Sequence, residues 1–168
     1  MDQNTIALII ATAAILVSLI TFFRANQQQK KAVTESSTFN TKPLQLQAYE
    51  RLVMLTERIA LPNLVSRANQ PGMNAKEMQL LLLESIKQEY EYNATQQIYV
   101  SPVAWEAVRN LKEQNMLVIN QVAATLPEGA TAMDLNKRLL EFVMSQKKGA
   151  LHSIVLEALN YEAKKLMK

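Results

Sequence analysis

The sequence predicts an all-α protein, in which a single N-terminal transmembrane helix precedes a bundle of about five antiparallel helices. Only 3 Gly and 5 Pro occur among 168 residues, whereas an all-β chain of this size usually needs more of both for its turns. Leu, Ala, Gln, Glu, Lys and Met are frequent, and all of them favour helix. Residues 5–23 form one uncharged apolar stretch, which is typical of a membrane span.

The apolar stretch reads TIALIIATAAILVSLITFF. As a helix it would be about 28 Å long, close to the ~30 Å thickness of a bilayer's hydrocarbon core. We therefore predict an anchor over residues 1–33, made of the span 5–23 and a juxtamembrane extension. Two alternatives are a cleaved signal peptide, which usually has a basic start and a shorter apolar core, and a buried helix of a soluble protein, which is rarely apolar on every face.

Basic residues flank the apolar stretch on one side only. Arg24, Lys30 and Lys31 follow it and none precedes it, so the flanking charges predict an inner-membrane protein with its N-terminus outside and its C-terminal domain in the cytoplasm. This flank also accounts for the basic pI near 9.1. From Leu44 onward the chain has 14 Lys and Arg against 13 Asp and Glu, and this balance argues against a nucleic-acid partner, which usually requires a basic face.

Residues 34–43 are polar and turn-rich and are predicted to form a flexible tether. Residues 44–168 then form the soluble helical bundle. Its first helix begins after Pro43 and is interrupted at Pro62, and residues 63–68 add a further short turn.

The second helix begins at Asn74, which has Glu77 three residues later in the pattern of a capping box, and it is predicted to continue to about Tyr99. The third begins at Ser101, a suitable N-cap, with Pro102 at the first helical position.

Thr131 and Asp134 cap the fourth helix, which ends before Gly149, and the fifth begins at Leu151. The short connections predict antiparallel packing of neighbouring helices.

Composition excludes several kinds of chemistry. Cysteine is absent, which excludes disulfides, cysteine-ligated metals and thiol nucleophiles. The 3 glycines are isolated, so no phosphate-binding loop can exist. The single histidine, His152, is interpreted as a satisfied or partly exposed side chain. The alternative, a catalytic base, has no identifiable nucleophile beside it. We predict no catalytic, cofactor-binding or metal-binding residue, and no enzyme.

The second helix changes character along its buried face. Leu82 and Ile86 lie on its apolar stripe, but Glu89, Asn93 and Gln96 continue that stripe within about 40°. On the third helix, Asn115 lies between Leu111 and Val118 on the corresponding face. If both stripes face one core, these four polar residues form a cluster that is a candidate pocket for a ligand or a reaction. The alternatives are that the second helix leaves the core after Ile86, or that the amides fix helix packing.

Two broad apolar faces suggest an interface. Leu80, Leu81 and Leu83 surround Leu82, and Met116 and Leu117 broaden the third helix in the same way. These residues are interpreted either as centrally buried or as a surface for self-association or a partner protein. A third hypothesis is contact between anionic lipid and the lysines at the end of the chain, Lys164, Lys165 and Lys168, which equally suit the helix dipole there.

Residues 44–59, LQLQAYERLVMLTERI, followed by LVSR at 64–67, resemble an uncharacterised family of short bacterial proteins with an N-terminal membrane anchor and a helical domain of unknown function. The resemblance implies a bacterial inner-membrane protein and assigns no functional residues. The leading hypothesis is therefore a membrane-tethered interaction or scaffold protein, an accessory subunit or adaptor of an inner-membrane assembly. The alternative is a ligand-binding or enzymatic module with a pocket around Glu89, Asn93 and Asn115.

Overall fold

A computed structural model of the chain describes Thr21 and residues 40–68, 70, 72–145 and 151–168. The chain divides into two compact units, Met1–Asn40 and Thr41–Lys168, and the second unit contains all the features considered below. Apart from Thr21, the predicted span 5–23 lies outside the described residues, as do the juxtamembrane extension and most of the predicted tether. In the part that is described, no helix combines the length and hydropathy needed to cross a bilayer.

The second unit is all-helical, which confirms the all-α part of the predicted fold class. It contains six α-helices and one 3₁₀ helix, and the described residues include no β-strand. In chain order the elements are α1 (Lys42–Ile59), α2 (Leu61–Ala68), α3 (Ala75–Tyr92), the 3₁₀ helix (Ala94–Ile98), α4 (Pro102–Ala124), α5 (Ala132–Ser145) and α6 (Leu151–Leu166).

The core lies where these helices meet. α1 buries Ala48, Leu52, Leu55 and Ile59 at helical spacing, as its sequence pattern predicts. The α1 stripe packs most extensively against α6, and α3 packs against both α4 and α5. The other fully buried large side chains come from the remaining five α-helices: Leu64, Met78, Leu82, Ile86, Leu111, Ile119, Leu135, Leu139 and Leu159.

The break between α1 and α2 follows from Pro62. A continuous helix would require residue 62 to donate its N–H to the carbonyl of Arg58, and proline has no N–H. The backbone instead turns at Ala60, where ψ is 127°. Arg67 supplies the donor that Pro62 lacks, because its Nη2 donates to the Arg58 carbonyl at 2.6 Å. Arg67 and Arg58 are thereby held next to each other.

Two amide side chains satisfy neighbouring carbonyls at the same helix end. Asn63 Nδ2 donates to the Glu57 carbonyl at 2.9 Å, and Asn115 Nδ2 donates to the Ile59 carbonyl at 2.7 Å. Asn115 is buried and belongs to α4. It therefore ties the end of α1 to the middle of α4, in agreement with the interpretation that a polar core residue fixes helix packing.

Both predicted caps of the middle helices are confirmed. Asn74 and Glu77 form the reciprocal capping box of α3, each bond being 2.9 Å long, and Ser101 Oγ accepts from the Ala104 N–H at 3.0 Å at the start of α4. The predicted end of α3 is wrong. The helix ends at Tyr92 and not at Tyr99, and the 3₁₀ helix follows it.

The predicted interface residues fall into two groups. Leu80 and Leu117 are exposed. Leu81, Leu83 and Met116 are partly buried and pack against the core. The broad leucine face is thus divided between interior and surface, and its role as an interface stays a prediction.

Candidate functional site

A groove of about 670 Å³ lies between α1, α2 and α3. Three arginines from two helices converge on it, and its deepest walls are the buried side chains of Leu55 and Leu64. We call it the arginine groove. The described residues that line it are Arg51, Met54, Leu55, Arg58, Leu64, Arg67, Ala68, Gln70, Leu81, Ser85, Gln88, Glu89, Tyr92 and Asn93.

The α1 wall of the arginine groove follows from helical spacing. Arg51, Met54, Leu55 and Arg58 occupy positions i, i+3, i+4 and i+7, and such positions share one face of a helix. Leu55 points to the core, while Arg51, Met54 and Arg58 are exposed beside it. One face of α1 therefore carries both the apolar floor and two of the cations.

The carboxylate of Glu89 on α3 lies between two of the arginines. Arg58 Nε donates to Glu89 Oε1 at 2.6 Å, and Arg58 Nη2 contacts the same oxygen. Arg67 Nη1 is 3.5 Å from it. Burial of the Glu89 carboxyl opposes its ionisation, but the hydrogen bonds and charges of Arg58 and Arg67 prevail and lower its pKa below the ordinary value. Glu89 is therefore ionised near neutral pH.

The charges in the groove do not balance. Among the residues that the structure describes, three arginines and one carboxylate, Glu89, line it. The side chain of Arg51 makes no ion pair or hydrogen bond with any residue that the structure describes. Arg58 and Arg67 keep 46% and 39% of their side-chain surface exposed. The groove is thus cationic and open to an anion.

The family model described as "Family of unknown function (DUF7935)" matches residues 3–166. The chain belongs to this family. Membership confirms the resemblance to an uncharacterised family, and the family's description gives no activity. The comparison with curated proteins gave no match, nor did the comparison with solved structures. The function of this family member is therefore argued from its own chemistry.

The structure brings together two of the four predicted pocket residues. Glu89 and Asn93 both line the arginine groove, and Asn93 Nδ2 donates to the Glu89 carbonyl at 2.8 Å, which closes the end of α3. Gln96 lies in the 3₁₀ helix, where it donates to Thr95 Oγ1 at 3.3 Å, and does not line the groove. Asn115 lines a different cavity, so the predicted four-residue cluster is divided.

The arginines were missed as site residues. The spacing of Arg51 and Arg58 by seven residues is a signal that they share a face, and it could have been used. Arg67 gave no such signal, because its place in the groove depends on the turn that Pro62 causes between α1 and α2.

A second cavity, of about 620 Å³, lies between the α1–α2 break, α4, α5 and the start of α6. Leu111, Val118 and Phe142 contribute to its apolar lining, and Asn115 and His152 are among its polar residues. His152 Nε2 is buried and has no hydrogen bond with the part of the chain that the structure describes. Its contact with Glu57 Oε2 is 3.5 Å long, too long for a normal hydrogen bond.

A polar cluster that the sequence did not reveal joins α1, α4 and α6. Glu162 Oε2 accepts from Tyr49 Oη at 2.5 Å and from Ser101 Oγ at 2.6 Å. The Ser101 N–H donates to Tyr49 Oη at 3.1 Å. Burial and the hydrogen bond to Glu162 raise the pKa of the Tyr49 phenol. Since the same Ser101 side chain also caps α4, the cluster is explained as a structural connection.

Proposed function

We propose that the protein is a membrane-tethered helical interaction module whose arginine groove binds an anionic partner. One observation carries this proposal: Arg51 has no described partner although it lines a groove that already contains two other arginines. Cations gathered on one surface repel each other, so their convergence is a cost to the isolated fold. An anion bound among them would remove that cost.

The remaining lining suits a partner with apolar and charged groups. Met54 and Tyr92 are exposed at the rim, and methionine, tyrosine and arginine are the residue types enriched in protein interfaces. Arginine also keeps its charge and can bind a carboxylate through two parallel hydrogen bonds. A partner that places acidic groups on the arginines and an apolar group on the floor would be complementary to this surface.

Membrane anchoring is the second part of the proposal. Residues 5–23 would anchor the chain in a bacterial inner membrane, with the N-terminus outside and the helical unit in the cytoplasm. The uncharged stretch and the basic flank that follows it support this arrangement. The protein would then act as an accessory subunit or adaptor that presents the arginine groove to a component of an assembly at the membrane.

Site-specific photo-crosslinking of the full-length protein in its native membranes tests the groove. A photoreactive residue replaces Met54, which lines the groove and is 62% exposed, or Met133, which lies outside it and is 75% exposed. We expect a discrete adduct at position 54 that disappears when Arg51→Glu is added, and none at position 133. An adduct at position 54 that persists in Arg51→Glu, or no adduct at all, would show that the groove is not the binding surface.

A further inference from the structure

We infer that the arginine groove takes an acidic, amphipathic peptide segment of a partner protein, and not a phosphate group or an anionic membrane surface. The inference rests on the proposed function and names the chemical class of the partner. It follows from the length of the groove, from the lack of free backbone donors on its walls, and from the way in which the groove already holds a carboxylate.

The groove is long. Its α3 wall extends from Leu81 to Asn93, which is about 18 Å of helix at 1.5 Å per residue. A single phosphate occupies only a small part of that length. A peptide of about three helical turns would fill it, with apolar side chains at helical spacing on the floor and acidic side chains toward the arginines.

The backbone of the walls cannot hold a phosphate in the usual way. Protein phosphate sites commonly use free N–H groups at a helix N-terminus. Here most of the lining comes from the C-terminal halves of α1, α2 and α3, where N–H groups are already bonded within the helix and the dipole is negative. Leu64 lies earlier in α2, and its N–H is already bonded to the Ala60 carbonyl. The cationic donors that line the groove are therefore guanidinium groups spread along its length, and they match several separate carboxylates.

Glu89 shows which anion these guanidinium groups accept. Arg58 and Arg67 hold its carboxylate from two helices, while Arg51 lies about two turns from Arg58 along α1, with no partner among the described residues. The Glu89 carboxylate thus fills part of the groove's anion-binding capacity. An acidic peptide that reaches Arg51 would have to share the other two arginines with Glu89, so Glu89 competes with the peptide.

The test is selection of random 12-residue peptides displayed on phage against the full-length protein in detergent micelles. We expect the recovered peptides to combine Asp or Glu with apolar residues at spacings of three or four. Charge reversal by Arg51→Glu should weaken their binding about 10-fold or more, because like charges then face each other. The matched control is Arg138→Glu, the same change at an exposed position of α5 outside the groove, and it should leave the affinity unchanged.

A second variant addresses Glu89 itself. Glu89→Gln removes the competing carboxylate and leaves three cations in the groove, so the selected peptides should bind about threefold tighter or more. Weaker binding by Glu89→Gln, at unchanged helix content by circular dichroism, would contradict the competition. Recovered peptides without acidic residues, or peptides that bind Arg51→Glu as well as Arg138→Glu, would overturn the inference.

Two parallel probes separate this inference from the proposed function. Vesicles of phosphatidylglycerol and phosphatidylcholine, and inorganic phosphate, are tested against the same variants. If either probe binds in an Arg51-dependent way and no acidic peptide does, the partner class is wrong and an anion-binding groove is retained. If no probe shows Arg51 dependence, both the inference and the proposed groove function fail.

Discussion

At the scale of single residues, the clearest assignments concern side chains that satisfy main-chain carbonyls. Pro62 cannot donate an N–H, and the carbonyls at the end of α1 are bonded by Asn63, Arg67 and Asn115 instead. Two of these residues, Arg67 and Asn115, also belong to observed or predicted sites. Arg67 completes the helix end and lines the arginine groove, and Asn115 was predicted as a pocket residue because a polar side chain interrupts an apolar stripe.

Asn115→Ala should destabilise the helical unit by about 1–3 kcal/mol, because the buried Ile59 carbonyl loses its donor. The measurement is the free energy of unfolding of the full-length protein in urea, followed by circular dichroism. Gln114→Ala, at the exposed neighbouring position, is the control and should change the stability by less than about 0.5 kcal/mol. Equal effects of the two substitutions would show that the Asn115 hydrogen bond contributes nothing.

Glu89 predicts a pH dependence. Its pKa is lower in the folded protein than its ordinary value of 4.5, so its ion pairs stabilise the fold fully above pH 4.5 and progressively less as the pH falls through the lower folded-state pKa. Because both arginines are exposed, we expect less than about 1 kcal/mol. Melting temperatures of the wild type and Glu89→Gln should differ at pH 7 and converge as the pH falls below the folded-state pKa of Glu89. A difference that stays constant or grows on acidification would contradict this.

At the scale of helices, the residues at which helices begin were predicted more reliably than the residues at which they end. Asn74 and Ser101 have local hydrogen-bonding partners within three residues, so their sequence identifies α3 and α4 directly. No Gly or Pro occurs between Tyr92 and Pro102, so the sequence has no strong stop signal there. The helix nevertheless ends at Tyr92, where Asn93 bonds back to Glu89 and the chain tightens into a 3₁₀ helix. Helical spacing identified the apolar stripe of α1 but not the burial of Tyr49 and Thr56 beside it. The convergence of arginines on this helix required the position of α2.

The contact between α1, α4 and α6 gives a test at the same scale. α6 buries only two side chains, Val155 and Leu159, so the hydrogen bonds from Tyr49 and Ser101 to Glu162 should contribute noticeably to its attachment. Tyr49→Phe and Glu162→Ala should each destabilise the protein, and the double variant by at least about 0.5 kcal/mol less than their sum. Urea unfolding of the four proteins measures this coupling. Additive effects would show that the two side chains act independently.

At the scale of the whole molecule, the basic and acidic residues of the helical unit are nearly equal in number but unevenly distributed in space. From Leu44 onward 14 basic residues face 13 acidic ones, yet three arginines and one carboxylate line the same groove. Composition argues against a nucleic-acid partner but could not reveal this local excess. The position of the charges depends on how α1, α2 and α3 pack, which no single stretch of sequence specifies.

The proposed orientation in the membrane is tested with a reporter enzyme fused after Lys168 that is active only on the outer side. We expect no activity, because Arg24, Lys30 and Lys31 should remain in the cytoplasm. As a control, replacing these three residues with Gln and adding three lysines before residue 5 should reverse the result. Activity of the unmodified fusion would contradict the orientation and with it the cytoplasmic location of the groove.

The turns before α3 and α5 meet in an antiparallel bridge between Asn74 and Thr131. The bridge consists of main-chain bonds, from Ala75 N–H to the Ala130 carbonyl at 3.0 Å and from Ala132 N–H to the Met73 carbonyl at 3.1 Å. Such bonds do not depend on side-chain identity, so substitutions of the acceptor residues at positions 73 and 130 leave the bridge itself possible, although Met73 also packs against the core. Gly72 and Gly129 have φ of 87° and 80°. Substitutions at these two glycines should be tolerated least, because other residues are strained in this conformation.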